Sequence, residues 1–204
     1  MSLFRRQFAE IEPPKPEPVT INCPVFGAFS EELQQDVNYQ ILDLGSASPE
    51  NLDFFSIFNC RLQIADALPA LQLLDDLSSD EQANKLDELI PKQADKSYDI
   101  ILFWDLLNYI EPETIRSIIN HLSDSIEPGT VLYALNASRG TIPDQPGRHR
   151  VIDAGQLLYE PANSNYMPSP CHAQRVLEKY MPGFKVEKSL LLKNGLQEFL
   201  FKVA

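Results

Sequence analysis

The sequence predicts an α/β fold: a mostly parallel sheet flanked by helices, closing on a C-terminal antiparallel hairpin. Three observations predict it. Buried-strand patterns at 39–44, 60–65, 98–104 and 131–135 alternate with helical patterns, and such alternation across short turns gives a parallel sheet covered on both faces. Asn194-Gly195 separates two strand-like runs, 185–192 and 196–203, which is a strong hairpin signal. The 204 residues, 44% of them hydrophobic, suffice for one sizeable core without disulfides or metals.

Taken in order, residues 1–11 can form a short amphipathic helix with Leu3, Phe4 and Phe8 on one side. Four prolines in the seven residues 12–18 then make an extended spacer, so residues 1–24 read as an arm for docking on the body or on a partner. The body, 25–204, starts with a short helix expected over 31–36. The strand 39–44 stops at Gly45. Ser48 is a good N-cap, Pro49 suits a first helical position and Glu50 complements the dipole, so a helix begins there and is expected to carry Leu52, Phe55 and Phe58 inward.

The strand 60–65 is followed at once by Asp66. From Leu68 to Lys96 the pattern is helical and acidic, broken at Ser78-Ser79 and Pro91. The strand 98–104 leads to a helix over 112–125, with Ile115, Ile118, Ile119 and Leu122 at helical spacing. Residues 127–130 turn the chain into the strand 131–135. Residues 136–170 hold five prolines and three glycines with little periodicity; they read as a long loop that shapes or covers a pocket. Ser169-Pro170 is expected to cap a helix over 171–180, and the hairpin follows.

Composition narrows the function classes. The net charge is −12. Acidity concentrates in residues 31–99, with 15 acids against 4 bases, and no basic stripe appears, which argues against a nucleic-acid groove. No uncharged apolar run approaches the ~18 residues of a membrane span. Three cysteines without close spacing offer neither a disulfide framework nor a zinc site, and a reducing, cytoplasmic setting is the expectation. Only 8 glycines stand against 16 prolines. No Gly-x4-Gly-Lys-Ser/Thr phosphate loop occurs.

In open parallel sheets, ligands bind at the carboxyl ends of strands where strand order reverses. Three candidate edges of such a crevice are Asp43 with Gly45, Ser46 and Ala47; Asp66; and Phe103, Trp104 and Asp105. Asp66 lies 21 residues beyond Gly45, where an acid can accept hydrogen bonds from both ribose hydroxyls of a nucleoside. The helix at Pro49 aims its positive end into the same space.

The order Ile41-Leu-Asp-Leu-Gly45, Asp66, Tyr98 to Ile110, Ile126 to Leu132 and the closing hairpin resembles the class I S-adenosylmethionine-dependent methyltransferases over roughly 37–204. The resemblance implies a Rossmann-like, seven-stranded, mostly parallel sheet with the last strand inserted antiparallel, and S-adenosylmethionine as cofactor. It places Asp43, Gly45, Ser46 and Ala47 at the methionyl portion, Asp66 at the ribose, and Phe103, Trp104 and Asp105 on the sulfonium side. The acceptor would be a small molecule. Tyr109, His149, Arg150, Tyr159 and Tyr166 are the candidate substrate contacts, with Asp105, Tyr109 and His149 as nominees for a base.

The chain departs from the family at the first turn, which keeps one motif glycine of three; Ala47 and Pro49 replace the others. No third strand ending in an adenine-binding acid is evident, and Asp75, Asp76, Asp87 and Asp95 stand unranked for that role. The alternative is a catalytically inactive methyltransferase-fold protein that binds a partner, or a second copy, through the arm or the acidic face. A nicotinamide-dependent dehydrogenase would continue the parallel sheet where this sequence turns into a hairpin.

Overall fold

The computed structural model describes residues 16–91 and 97–204. Along the chain run β1 (Val19–Asn22), α1 (Pro24–Glu31), β2 (Tyr39–Asp43), α2 (Pro49–Ser56), β3 (Cys60–Ile64), α3 (Leu68–Leu71), α4 (Ser79–Leu89), β4 (Tyr98–Trp104) and α5 (Pro112–Leu122). Then come β5 (Ile126–Ala137), β6 (Thr141–Pro143), β7 (Arg148–Asp153), β8 (Gln156–Glu160), β9 (Tyr166–Pro168), α6 (Gln174–Tyr180), β10 (Phe184–Leu191) and β11 (Leu196–Val203). The expected helix over 1–11, most of the proline spacer, and Asp95 lie outside the described residues.

The central sheet has the order β10-β11-β5-β4-β2-β3. β3, β2, β4 and β5 pair in parallel, whereas β11 is inserted antiparallel between β5 and β10. This is the inserted last strand that the resemblance implies. Among the described residues the sheet has six strands, where seven are expected. Between Leu68 and Lys96 the described chain makes α3, a 3-10 turn and α4, so β3 forms the edge.

Apolar runs explain the core. Ile100, Ile101, Leu102 and Phe103 of β4 are all buried, as are Ile115, Ile118, Ile119 and Leu122 along one stripe of α5; a central strand covered on both faces needs a continuous apolar run, and a helix covering it needs one face. Ser48 caps α2 as expected, its hydroxyl accepting from the Asn51 N–H at 3.0 Å. The inward residues of that helix are Asn51 and Phe55, whereas Leu52 is exposed and Phe58 only half-buried. The expected helix over 31–36 instead lies at α1, because Pro24 starts it and a remote carboxylate holds its first turn. Glu198 of β11, fully buried, accepts from the N–H groups of Val25 and Phe26, both at 3.1 Å.

Two further readings change. Residues 127–130 do not end at a turn; β5 runs through them, and its register against β4 jumps between Tyr98 and Ile100. The segment 136–170 is largely strand. β7 and β8 form a hairpin, β1 adds to it to give the order β1-β8-β7, and β6 pairs with β9. The periodicity was hidden because these strands are three to six residues long and set among prolines. Of residues 1–24, Val19–Asn22 pair with β8 of their own chain. Ser169-Pro170 does not cap α6, whose N-cap position is Ala173 without a side-chain bond.

Candidate functional site

Strand order reverses between β2 and β4, and the turn after β2 lies at that switch point. The small sheet β1-β8-β7, with the loop that leads into β7, forms a cap that is anchored on both banks of this crevice. On one bank Asn51 of α2 donates to the His149 carbonyl at 3.2 Å and accepts from the Val151 N–H at 2.8 Å. Arg150 bonds Glu50 at 3.0 Å and Glu160 at 3.3 Å. On the other bank Gln72 donates to the Asp144 carbonyl at 2.8 Å, and Tyr109 to the Gln145 carbonyl at 3.1 Å.

Beneath the cap the crevice is filled by its own side chains. Asp43 Oδ1 accepts from the Gly45 N–H at 2.8 Å and from the Trp104 indole N–H at 2.6 Å. Burial pushes the Asp43 carboxyl up to about 6, against the pull of the Trp104, Gly45 and Asn51 hydrogen bonds. The indole of Trp104, 1% exposed, lies so close to the turn that a Cβ on Gly45 would sit 2.8 Å from its Cδ1 and Nε1. Gly45 therefore makes room for an indole. On the outer side of Trp104 the His149 ring stacks at 5.5 Å with 2° between planes, and Tyr159 follows at 4.9 Å.

The surroundings of Asp66 differ. Asp66 is exposed, and its carboxylate receives the Ser46 hydroxyl at 2.6 Å. Ala47 is exposed beside it. Asp66 and Trp104 both have left-handed backbones, φ 47° and 50°, a region that costs a non-glycine residue about 1–3 kcal/mol and clusters at functional sites. Two small cavities touch residues of the site. One, about 240 Å³, touches Ser46, Leu68 and Arg148; the other, about 110 Å³, is lined by Asp105, Tyr109, His149 and Tyr159. Cofactor-sized ligands occupy roughly 300–1,000 Å³, so neither cavity holds S-adenosylmethionine as it stands. The exposed carboxylate of Asp66 is of a kind that fits a ribose, whereas the turn at Gly45, taken by Trp104, leaves no room for a methionyl group in this conformation.

The expected residues are thus sorted. Asp43, Gly45 and Trp104 meet in one buried knot, and Ser46, Ala47 and Asp66 line the open side. Asp105, Tyr109, His149 and Tyr159 converge on the smaller cavity. Phe103 is a core residue, Arg150 is spent on two carboxylates, and Tyr166 is 61% exposed on β9. Of the candidate adenine acids, Asp75 instead accepts from the Glu111 N–H at 3.0 Å, and Asp87 faces His121 at 3.6 Å. Asn51, missed in the sequence, ties cap to turn; a polar residue one helical turn from the apolar Phe55 was the available signal.

No family model matches this sequence, and no curated protein sequence matches it. Solved structures with a similar course include the Burkholderia thailandensis 1,6-didemethyltoxoflavin-N1-methyltransferase with bound S-adenosylhomocysteine (12% identity, 89% of this chain and 76% of that one, TM-score 0.48). A Clostridium acetobutylicum S-adenosylmethionine-dependent methyltransferase matches at 12% identity over 90% and 93% of the two chains, TM-score 0.49. CalS10, an amino pentose methyltransferase from Micromonospora echinaspora solved with S-adenosylmethionine bound, matches at 11% identity over 89% of each chain, TM-score 0.49. At such identities the fold assignment rests on topology: the parallel strands, the inserted antiparallel last strand and the switch-point turn. The chain has an α/β fold with a central mixed sheet, whose inserted antiparallel last strand is the topology that the resemblance implies. Among the described residues no helix is long and apolar enough to cross a membrane, and no three His, Cys, Asp or Glu side chains cluster as metal ligands.

Proposed function

We propose that this methyltransferase-fold protein takes S-adenosylmethionine at the carboxyl edge of β2 and β3 and passes its methyl group to a small-molecule acceptor, with the cap as the moving part. The observation that carries the reading is the juxtaposition of Asp43, Gly45, Ser46, Ala47, the start of α2 and exposed Asp66 at the switch point. Asp66 would accept from the ribose hydroxyls once Ser46 releases it. When bound, the cofactor supplies a methyl group activated on sulfur. The chain's own part is to hold and orient, since positioning is worth several kcal/mol in such reactions. Trp104 must first leave the Gly45 turn, which breaks its bond to Asp43 and its stack on His149, and so requires β7 to lift.

The same stack favours a second reading, a catalytically inactive methyltransferase-fold protein that acts as an interaction module. Here the Trp104–His149 pair permanently replaces the cofactor. Titration calorimetry with S-adenosylmethionine and S-adenosylhomocysteine separates the two. Micromolar binding that is lost in Asp66→Ala supports methyl transfer. No binding at millimolar ligand, in the wild type and in Trp104→Ala alike, rejects it and leaves the interaction module.

A further inference from the structure

Asp105 follows Trp104 and opens the 3-10 turn at Leu106–Asn108, where its carbonyl accepts from both the backbone and the side-chain amide of Asn108, each at 3.0 Å. Asn108 in turn takes the Ala137 N–H at 2.6 Å and donates to the Leu135 carbonyl at 3.1 Å. Asp105 is thereby fixed against the end of β5. Its carboxylate is bonded by the Gly147 N–H. The Tyr109 hydroxyl has one proton and three oxygen neighbours: the Gln145 carbonyl, Asp105 and Tyr159.

One oxygen remains. Asp105 Oδ1 is buried without a hydrogen-bond partner, and so is His149 Nδ1, which faces it at 3.8 Å. The two side chains are only 8% and 2% exposed. A gap of 3.8 Å is too long for a hydrogen bond between them. An atom placed between them, however, reaches both at bonding distance. Leaving two such groups unpaired costs about 1–3 kcal/mol each. Both line the cavity of about 110 Å³, the volume of roughly three to four waters.

We propose that this cavity is a binding site for a small primary amine, whose ammonium group donates one N–H to Asp105 Oδ1 and another to His149 Nδ1. Two acceptors facing one point call for a donor atom carrying at least two hydrogens. Charge favours the ammonium form: His149 is neutral, its imidazole pushed down to about 3 by burial, and Asp105, whose carboxyl burial raises to about 7, is the group that an ammonium would draw into its anionic form. The Tyr109 and Tyr159 rings supply aromatic walls suited to a cation. Arg139 stands at the mouth, exposed and without an ion pair among the described residues. A zwitterion with its carboxylate outward, of the size of β-alanine, matches that polarity. The Trp104–His149 stack stands between this cavity and the Gly45 turn, so the amine site belongs to the closed cap and is tested with no S-adenosylmethionine present.

The test follows the amide resonances of Gly147 and Asp105 by NMR while β-alanine, ethylamine and propionate are titrated separately into the full-length protein. Saturable shifts are expected with β-alanine. They should be about tenfold weaker with ethylamine, which lacks the group for Arg139, and absent with propionate. Asp105→Asn should abolish them. Should that variant fold poorly, surface Arg139→Gln still decides: it should lower β-alanine to the affinity of ethylamine. No saturable shift with either amine would reduce the cavity to a water site, and propionate binding as tightly as β-alanine would make it an anion site; either result overturns the proposal.

Discussion

The Tyr133 hydroxyl donates to Glu198 Oε1 at 2.9 Å, and the same carboxylate closes the first turn of α1 through Val25 and Phe26. One acid, buried in β11, therefore satisfies three donors from two other parts of the chain. Burial raises its carboxyl above the ordinary range, opposed by those three hydrogen bonds. Glu198→Ala leaves the Val25 and Phe26 N–H groups unpaired and takes the carboxylate partner from Tyr133, whose other neighbour is Cys23, and each buried orphan costs about 1–3 kcal/mol. The expected loss is about 3–5 kcal/mol in urea unfolding, with Glu198→Gln losing less because its carbonyl oxygen still accepts.

Gly45 and Trp104 should be energetically coupled. Gly45→Ala forces a methyl against the indole and is expected to cost about 1–3 kcal/mol by overpacking. Trp104→Phe deprives Asp43 of its indole donor and has its own cost. In the double variant the clash is relieved, so the combined loss should fall short of the sum by at least about 0.5 kcal/mol. Strict additivity in a denaturation cycle would mean that the glycine serves something other than the indole.

Asp105 makes a distinctive mark on stability against pH. Burial raises its carboxyl from 3.8 to about 7, so between those values the native chain keeps a proton that the unfolded chain has lost, and stability falls as pH rises. Asp43 acts in the same direction up to about 6. His149 opposes both: held down at about 3 against an ordinary 6.5, it makes the native state lose stability as pH drops through that window. Asp105→Asn removes only the first contribution. Its melting temperature relative to wild type should therefore climb between pH 4 and 7, by roughly 5 °C or more, and level off above. The groups facing Asp105 are Tyr109, His149 and Tyr159, and none is replaced.

Asn51 is the hinge pin of the cap. Asn51→Ala removes its bonds to His149 and Val151, and hydrogen exchange over 148–160 should accelerate by about tenfold or more while β4 and β5 remain protected. If the cap gates cofactor entry, the same variant should bind S-adenosylmethionine more tightly than wild type. Uniform acceleration across the sheet would show that the cap does not open on its own.

Strands with a full apolar run were readable before any coordinates: β4 matches residue for residue, and the hairpin at Asn194-Gly195 falls where the turn chemistry puts it. Local signals also placed α2, because Ser48 and Pro49 act within one turn. What escaped was non-local. α1 depends on Glu198, 172 residues beyond Phe26, and no window of sequence contains both. The strands of the cap are too short to show a period. Asp43, Gly45 and Asp66 lie at the switch-point turn where their positions in the sequence put them, but the occupant of that crevice was not legible, since Trp104 reads as core or as wall until His149 is seen lying on it.

The pairing of β1 with β8 places Val19 opposite Tyr159, and α1 waits for Glu198. During synthesis at about 5–20 residues per second, the first described elements therefore stay without partners for roughly ten seconds or longer, until most of the chain has emerged. Contacts of such sequence separation are slow to form because the loop must close before it is rewarded. β1 and α1 are made long before the partners that complete them. In the interval β1 is exposed to whatever else can add an edge, so a chaperone or the ribosome surface can meet Val19 to Asn22 before Tyr159 does.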